Sequence, residues 1–149
     1  MTAPAASTHA ECELCGQTGG ALLWRDARCR VVLVDEPGYP GFCRVIWNAH
    51  VREMTDLAVA DRDHVMAIVF AVERALRAEL APEKVNLASL GNMTPHVHWH
   101  VIPRHTDDPH FPSPVWAAAQ RPPARPMPHD LAARLAAAIA RAVGHVDGS

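Results

Sequence analysis

No apolar run in this chain of 149 residues approaches the ~18 to 20 residues needed to cross a bilayer. The opening segment, Met1 to Glu11, is small and polar. It lacks the basic start followed by an apolar stretch that marks a secretory leader. No membrane association is expected, and the cytoplasm is the expected location. A basic excess is missing as well: the formal net charge is −2, whereas a general nucleic-acid binder displays a basic surface. That balance does not exclude a small phosphorylated ligand, which a few local donors can hold. Cysteine is scarce. Cys12, Cys15, Cys29 and Cys43, in a reducing compartment, are expected to be thiols or metal ligands rather than a disulfide framework. The length suits one domain with a respectable core and hardly two.

Histidine and proline, by contrast, are abundant, at ten and thirteen residues. Residues 1–10 read as a flexible N-terminal arm and 11–149 as a single domain. Ala21–Trp24, the β-branched run Cys29–Val34 and the alternating Phe42–Trp47 read as strands, with a turn-rich loop over residues 35–41. Val65, Ile68, Val69, Val72, Leu76 and Leu80 recur at three and four residues. This apolar stripe predicts a helix over Asp61–Leu80, with Asp61 as its cap and Pro82 at its end. Lys84–Leu90 and His96–Pro103 read as a fourth and fifth strand. Residues 104–128 form a proline-rich loop expected to lie over the body. Leu131, Leu135, Ile139 and Val143 predict a last helix over about 130–143, stopped by Gly144. This order predicts an α+β domain with a mainly antiparallel five-stranded sheet and two principal helices.

The most informative stretch is His96-Val97-His98-Trp99-His100-Val101-Ile102-Pro103. Its period of two matches a strand, on which the three imidazoles share one face and Val97, Trp99 and Val101 turn into a core. On a helix His98 would point away from His96 and His100, and the spacers favour a strand. Three neutral imidazoles on one face can ligate a metal together. Alternatively they can serve as nucleophile and proton donors toward an anionic ligand. A metal held by all three usually enlists a nearby carboxylate, and none lies between Asn86 and Arg104.

The His-φ-His-φ-His-φ-φ pattern at 96–102, preceded by Gly91-Asn92-Met93-Thr94-Pro95, resembles the signature of the histidine triad family. The whole string from Asn86 to Arg104, with the tail motif Phe111 to Trp116, is similar to its bacterial diadenosine-tetraphosphate-hydrolase-like branch. The resemblance implies a five-stranded fold, usually paired as a homodimer. It also implies cleavage of nucleoside phosphate anhydrides, esters or phosphoramidates through a covalent nucleotidyl-histidine, with a purine nucleotide or dinucleoside polyphosphate as partner. By the same resemblance His98 attacks phosphorus, His100 donates to a phosphate oxygen, and His96 completes the triad. Asn92 then bonds the phosphate or leaving group, Asp35 holds the ribose, and Asn86 lines the cleft. One position departs from the pattern. Where the family often has Pro-Gly-His beside the nucleophile, this chain has Pro40-Gly41-Phe42. A nucleotide-binding module with little turnover is therefore the alternative reading.

Cys12 and Cys15 form a Cys-x-x-Cys pair. Two thiolates at that spacing can clamp a zinc ion, which wants two further ligands. A redox pair or two incidental cysteines are the other readings, though no thioredoxin-like context surrounds the motif. Many bacterial histidine triad proteins resemble the zinc arrangement, and they imply His50 and His96 as the remaining ligands of a structural site. No organic cofactor is expected. Cys29 and Cys43 read as core residues, His9, His64, His129 and His145 as surface or capping residues, and His105 and His110 as flanking the proline-rich loop within reach of the cleft without being essential.

Overall fold

Alternating β-branched residues build the centre of the domain. In this computed structural model, which describes residues 9–147 and their side chains as far as 144, five strands form one antiparallel sheet. They are β1 (Ala21–Arg25), β2 (Cys29–Leu33), β3 (Cys43–Trp47), β4 (Lys84–Ala88) and β5 (His98–Arg104). Their spatial order is β1-β2-β3-β5-β4, the α+β arrangement expected. Most of the expected arm, residues 1–8, lies outside the described residues.

Register divides the sheet into two faces. Cys29 pairs with Trp47, Val31 with Val45 and Leu33 with Cys43, so these six side chains share a face. That face packs the main core together with Val97, Val101 and the two long helices. The opposite face carries Arg30, Val32, Arg44 and Ile46, and register extends it to His98 and His100, opposite Ile46 and Arg44. Gly41 sets the entry to β3. Its φ is +95°, and a Cβ there would lie 2.5 Å from the Leu80 side chain, so only glycine fits.

Helix α2 (Val59–Leu80) buries Val65, Ile68, Val69, Val72 and Leu76, with Ala71 and Ala75 between them. Each fully buried aliphatic side chain contributes roughly 1.5 to 3 kcal/mol. The helix begins before Asp61, contrary to expectation: Ala58 is the N-cap and offers no side-chain cap. Asp61 instead sits in the first turn, where the helix dipole favours a carboxylate, and pairs with Arg28 at 3.2 Å. The other end is as expected, with Ala81 in a left-handed conformation followed by Pro82. Helix α3 (Leu131–Asp147) packs Leu131, Leu135 and Ile139 into the core. It runs through Gly144 rather than stopping there. A glycine lowers helix stability but ends a helix only where the chain turns left-handed.

A second correction concerns β5, which begins at His98 rather than His96. His96 lies in a tight turn, its N–H bonded to the Thr94 carbonyl at 2.8 Å. Val97 already pairs irregularly, donating to Val51 and accepting from Trp47. The alternation survives: Val97, Trp99 and Val101 face the helical core, and His98 and His100 face the other way.

Candidate functional site

His98 and His100 stand two residues apart on β5, and pleating brings their rings to 5.0 Å in an edge-on arrangement. His98 Nδ1 lies 2.6 Å from the His96 carbonyl oxygen. That nitrogen carries the proton and donates, leaving the lone pair of the neutral ring on Nε2. Burial lowers the His98 pKa against the pull of that hydrogen bond. The Ser89 hydroxyl donates to the His98 carbonyl at 2.8 Å, tying β4 to the same residue. Burial, with His98 and Arg44 adding, pushes the His100 pKa down to about 4. His100 is therefore neutral at pH 7. Its Nδ1 is buried without a hydrogen-bond partner. A bare lone pair there avoids an orphaned N–H, which puts the proton on Nε2.

His96 belongs to another group. Its ring is 1% exposed, with Nδ1 at 3.4 Å from Cys12 Sγ and 3.5 Å from Cys15 Sγ. Cys15 Sγ also lies 3.4 Å from His50 Nδ1. One ligand atom from each of Cys12, Cys15, His50 and His96 falls within 4.8 Å of all the others. A zinc tetrahedron with bonds of about 2.3 Å to sulfur and 2.0 Å to nitrogen has an S···N edge of about 3.5 Å. The three S···N distances match it, so the donor set fits the metal. The short helix α1 (Glu13–Gly16) brings the two thiols together. The other His96 nitrogen, Nε2, faces the Trp47 carbonyl, the kind of contact that orients a ligating imidazole. His9, exposed as expected, stacks on His50 at 5.1 Å. The triad is thus divided: His96 turns its ring to the cysteines and its carbonyl to His98.

The other candidates stand apart from the histidine pair. Asn92 is exposed in the loop before β5. Asn86 accepts from Arg104 Nη1 at 2.8 Å. Asp35 is exposed and lines a hollow of about 580 Å³ with Pro37, Pro40 and residues 123–127, none of them histidine. Among the described residues, none of the three bonds His98 or His100. His105 is buried, 3.4 Å from Glu83, and His110 Nδ1 bonds the Tyr39 hydroxyl at 2.7 Å. His64 bonds Asp26 at 2.6 Å. Cys29 and Cys43 are core residues whose thiols burial pushes up to about 12.

Three side chains next to the pair complete its surroundings. Phe42 meets His100 edge-on at 5.8 Å. Trp116 meets the same ring at 5.2 Å and is 52% exposed. Arg44, opposite His100 in register, is a residue that sequence reasoning overlooked. The signal was present, since alternation with Cys43 and Val45 puts it on the histidine face. Trp116 was legible only as part of a motif, because no periodicity reports where a proline-rich loop returns.

That loop is held by Asp108. Its carboxylate takes Arg104 Nε at 2.7 Å and Nη2 at 3.1 Å, the Tyr39 hydroxyl at 3.1 Å, and the backbone N–H groups of His105, His110 and Phe111. Burial alone would raise this carboxyl. Arg104 and the backbone donors outweigh burial and hold it at about 2.

The family model for the HIT domain matches residues 16–107, which contain every strand and both histidines of the pair. The chain is 26% identical to the histidine triad protein blr8122 of Bradyrhizobium japonicum, with 94% of this chain and 99% of that one covered at a TM-score of 0.72. A histidine triad protein of Marinobacter aquaeolei is 25% identical, covering 86% and 91% at 0.68. A zinc-bound histidine triad family protein of Mycobacterium smegmatis shares the fold at 22% identity, covering 89% and 92% at 0.63. Among curated proteins none matches. With the model covering well over half of its length, the chain belongs to the histidine triad (HIT) family.

Proposed function

We propose that this protein is a nucleotidyl hydrolase or transferase whose nucleophile is His98. HIT membership is consistent with nucleotide binding and with either activity. The observation that carries the reading is the 2.6 Å contact of His98 Nδ1 with the His96 carbonyl. It leaves Nε2 with a free lone pair on a ring kept neutral by burial. In the reaction, that lone pair forms a bond to phosphorus as the bond from phosphorus to the leaving group breaks. The departing oxygen or nitrogen carries away the bonding electrons and takes up a proton. His100 donates from Nε2 to a non-bridging oxygen as charge develops there. Water then attacks phosphorus and releases a proton to solvent, the N–P bond breaks, and the nucleoside monophosphate leaves with the water hydroxyl while Nε2 recovers its lone pair. An acceptor hydroxyl in place of water would make the protein a transferase. Asn92, Asp35 and Asn86 remain the residues suggested for the nucleotide.

Cys12, Cys15, His50 and His96 would hold a zinc ion, supported by their distances. With all four ligands from protein the ion is structural: it would tie the N-terminal segment to β3 and to the residue whose carbonyl orients His98. Pairing of two copies belongs to the same reading.

The test is AMP release from adenosine 5′-phosphoramidate and from diadenosine tetraphosphate, with His98→Ala alongside and intact mass measured for an adenylyl adduct. Turnover abolished in His98→Ala, or an adduct that maps to His98, supports the reading. One observation favours a second reading, a nucleotide-binding module: Phe42 fills the place beside His100 with a ring that can neither donate nor accept. A folded protein that binds AMP without turnover or adduct would establish that alternative.

A further inference from the structure

Arg44 stands out among the arginines of the histidine face because nothing among the described residues neutralises it. Arg30, two strands from His98 in the same row, is committed to the chain: its guanidinium donates to the carbonyls of Leu14, Gln17 and Thr18 and to Asn48. Arg104, at the end of β5, is locked to Asp108 and Asn86. Arg44 has one long contact, Nη1 to the Gly19 carbonyl at 3.4 Å. Its Nε is buried and makes no hydrogen bond. Among the described residues no carboxylate lies within ion-pairing distance of it. A buried donor on a cation is costly to leave unmet, so a position like this calls for an anion from outside the chain.

Its neighbours locate that anion. Arg44 is the direct register partner of His100 on β3, and His98 pairs with Ile46 one step along the same face. A ligand whose phosphorus meets His98 and whose oxygen meets His100 therefore extends its next charged group over the adjacent strand, toward Arg44.

We propose that Arg44 is a substrate-binding residue that receives a second phosphate, adjoining the one that reacts, and so selects nucleoside polyphosphates and their anhydrides over monophosphate esters and amides. This deepens the reading of His98 as a nucleophile and rests on it for the identity of the reacting phosphate. Guanidinium suits the task because its planar donors match two phosphate oxygens at once.

The test measures the dissociation constants of ADP and AMP by calorimetry for the native protein, Arg44→Met and Arg44→Lys. A charge-assisted hydrogen bond predicts that the native protein prefers ADP by about 10- to 100-fold. In Arg44→Met the two nucleotides should bind within about 2-fold of each other, and Arg44→Lys should keep part of the preference as a point charge. AMP binding should hardly change, which a merely structural role for Arg44 would not produce. Thermal melting of each variant identifies any loss of fold, and the lysine variant keeps the test open if the methionine variant unfolds. No ADP preference in the native protein, or a preference retained in Arg44→Met, overturns the proposal. AMP release assayed on the native protein separates the two readings: a preference abolished in Arg44→Met without any turnover sustains the phosphate site and refutes the nucleophile.

Discussion

Replacing Asp108 with asparagine would remove one charge from the most heavily bonded carboxylate among the described residues while keeping its shape. The Arg104 and Asp108 side chains are 3% and 1% exposed, so water cannot replace the lost partner. Two routes give the magnitude. A carboxyl held at about 2 instead of its ordinary 3.8 contributes about 2 kcal/mol at neutral pH. Breaking one side of a buried ion pair costs about 3 to 5 kcal/mol, because the remaining charge is left uncompensated. Arg104 keeps the Asn86 amide and the Ser113 carbonyl, which argues for the lower part of that range. Asp108→Asn should therefore cost about 3 kcal/mol, against the roughly 5 to 15 kcal/mol that holds a domain together. Urea unfolding followed by circular dichroism at pH 7 reads it directly. The pH dependence supplies an independent check. With the folded pKa depressed, the contribution is present above about pH 4 and is lost as pH falls toward 2. The native protein should lose stability across that window and the asparagine variant should lose less. A cost under about 1 kcal/mol, with identical acid profiles, would refute the argument and make the pair no better than a surface bridge.

Two further outcomes follow from the site. His100, held at about 4 rather than its ordinary 6.5, is neutral in the folded protein while the unfolded chain takes up a proton. Stability should thus fall as pH drops from about 6.5 to about 4, by about 3 kcal/mol from this group alone. Urea unfolding at pH 7 and pH 4.5 should show a smaller loss in His100→Gln than in the native protein. For the metal, Cys12→Ser should weaken zinc binding by more than about 100-fold, beyond what a lost outer contact costs. Metal analysis after dialysis should find about one zinc per native chain and little in the variant. Equal zinc in both would show that the cluster is not the binding site.

Much of the fold is legible along the chain because apolar spacing reports packing directly. The stripe from Val65 to Leu76 and the alternation from Cys43 to Trp47 each match the face that is buried. Boundaries were less legible. Asp61 is an excellent cap by type, but the Ala58 carbonyl already accepts from Asp61 and Arg62 N–H, so the helix starts at Val59. Gly144 looked like a stop, yet nothing crowds it and the helix simply continues. His96, His98 and His100 read as three equals. Their separation into a cysteine-bound ring and a facing pair depends on the turn at Thr94 and on residues 47 and 51, which no local pattern reveals. The cysteine pair and His50 were found through spacing and family resemblance together. Asp108 escaped, and Trp116 was legible only within a motif, because a loop rich in proline has no period and its contacts are made at a distance.

The order of the strands has a consequence for how the domain comes into being. β2 and β3 can meet through a short loop, but β4, which follows next, has no place in the sheet until β5 arrives. β5 then slots between β3 and β4, joining Cys43 to Val101 across a long stretch of chain. Pairings of this range close slowly, because the entropy of the intervening loop must be lost before any contact compensates for it. The strand bearing His98 is thus a keystone set last. A chain still emerging from the ribosome has no half-formed version of the histidine pair, and completing the sheet and creating the pair are one event.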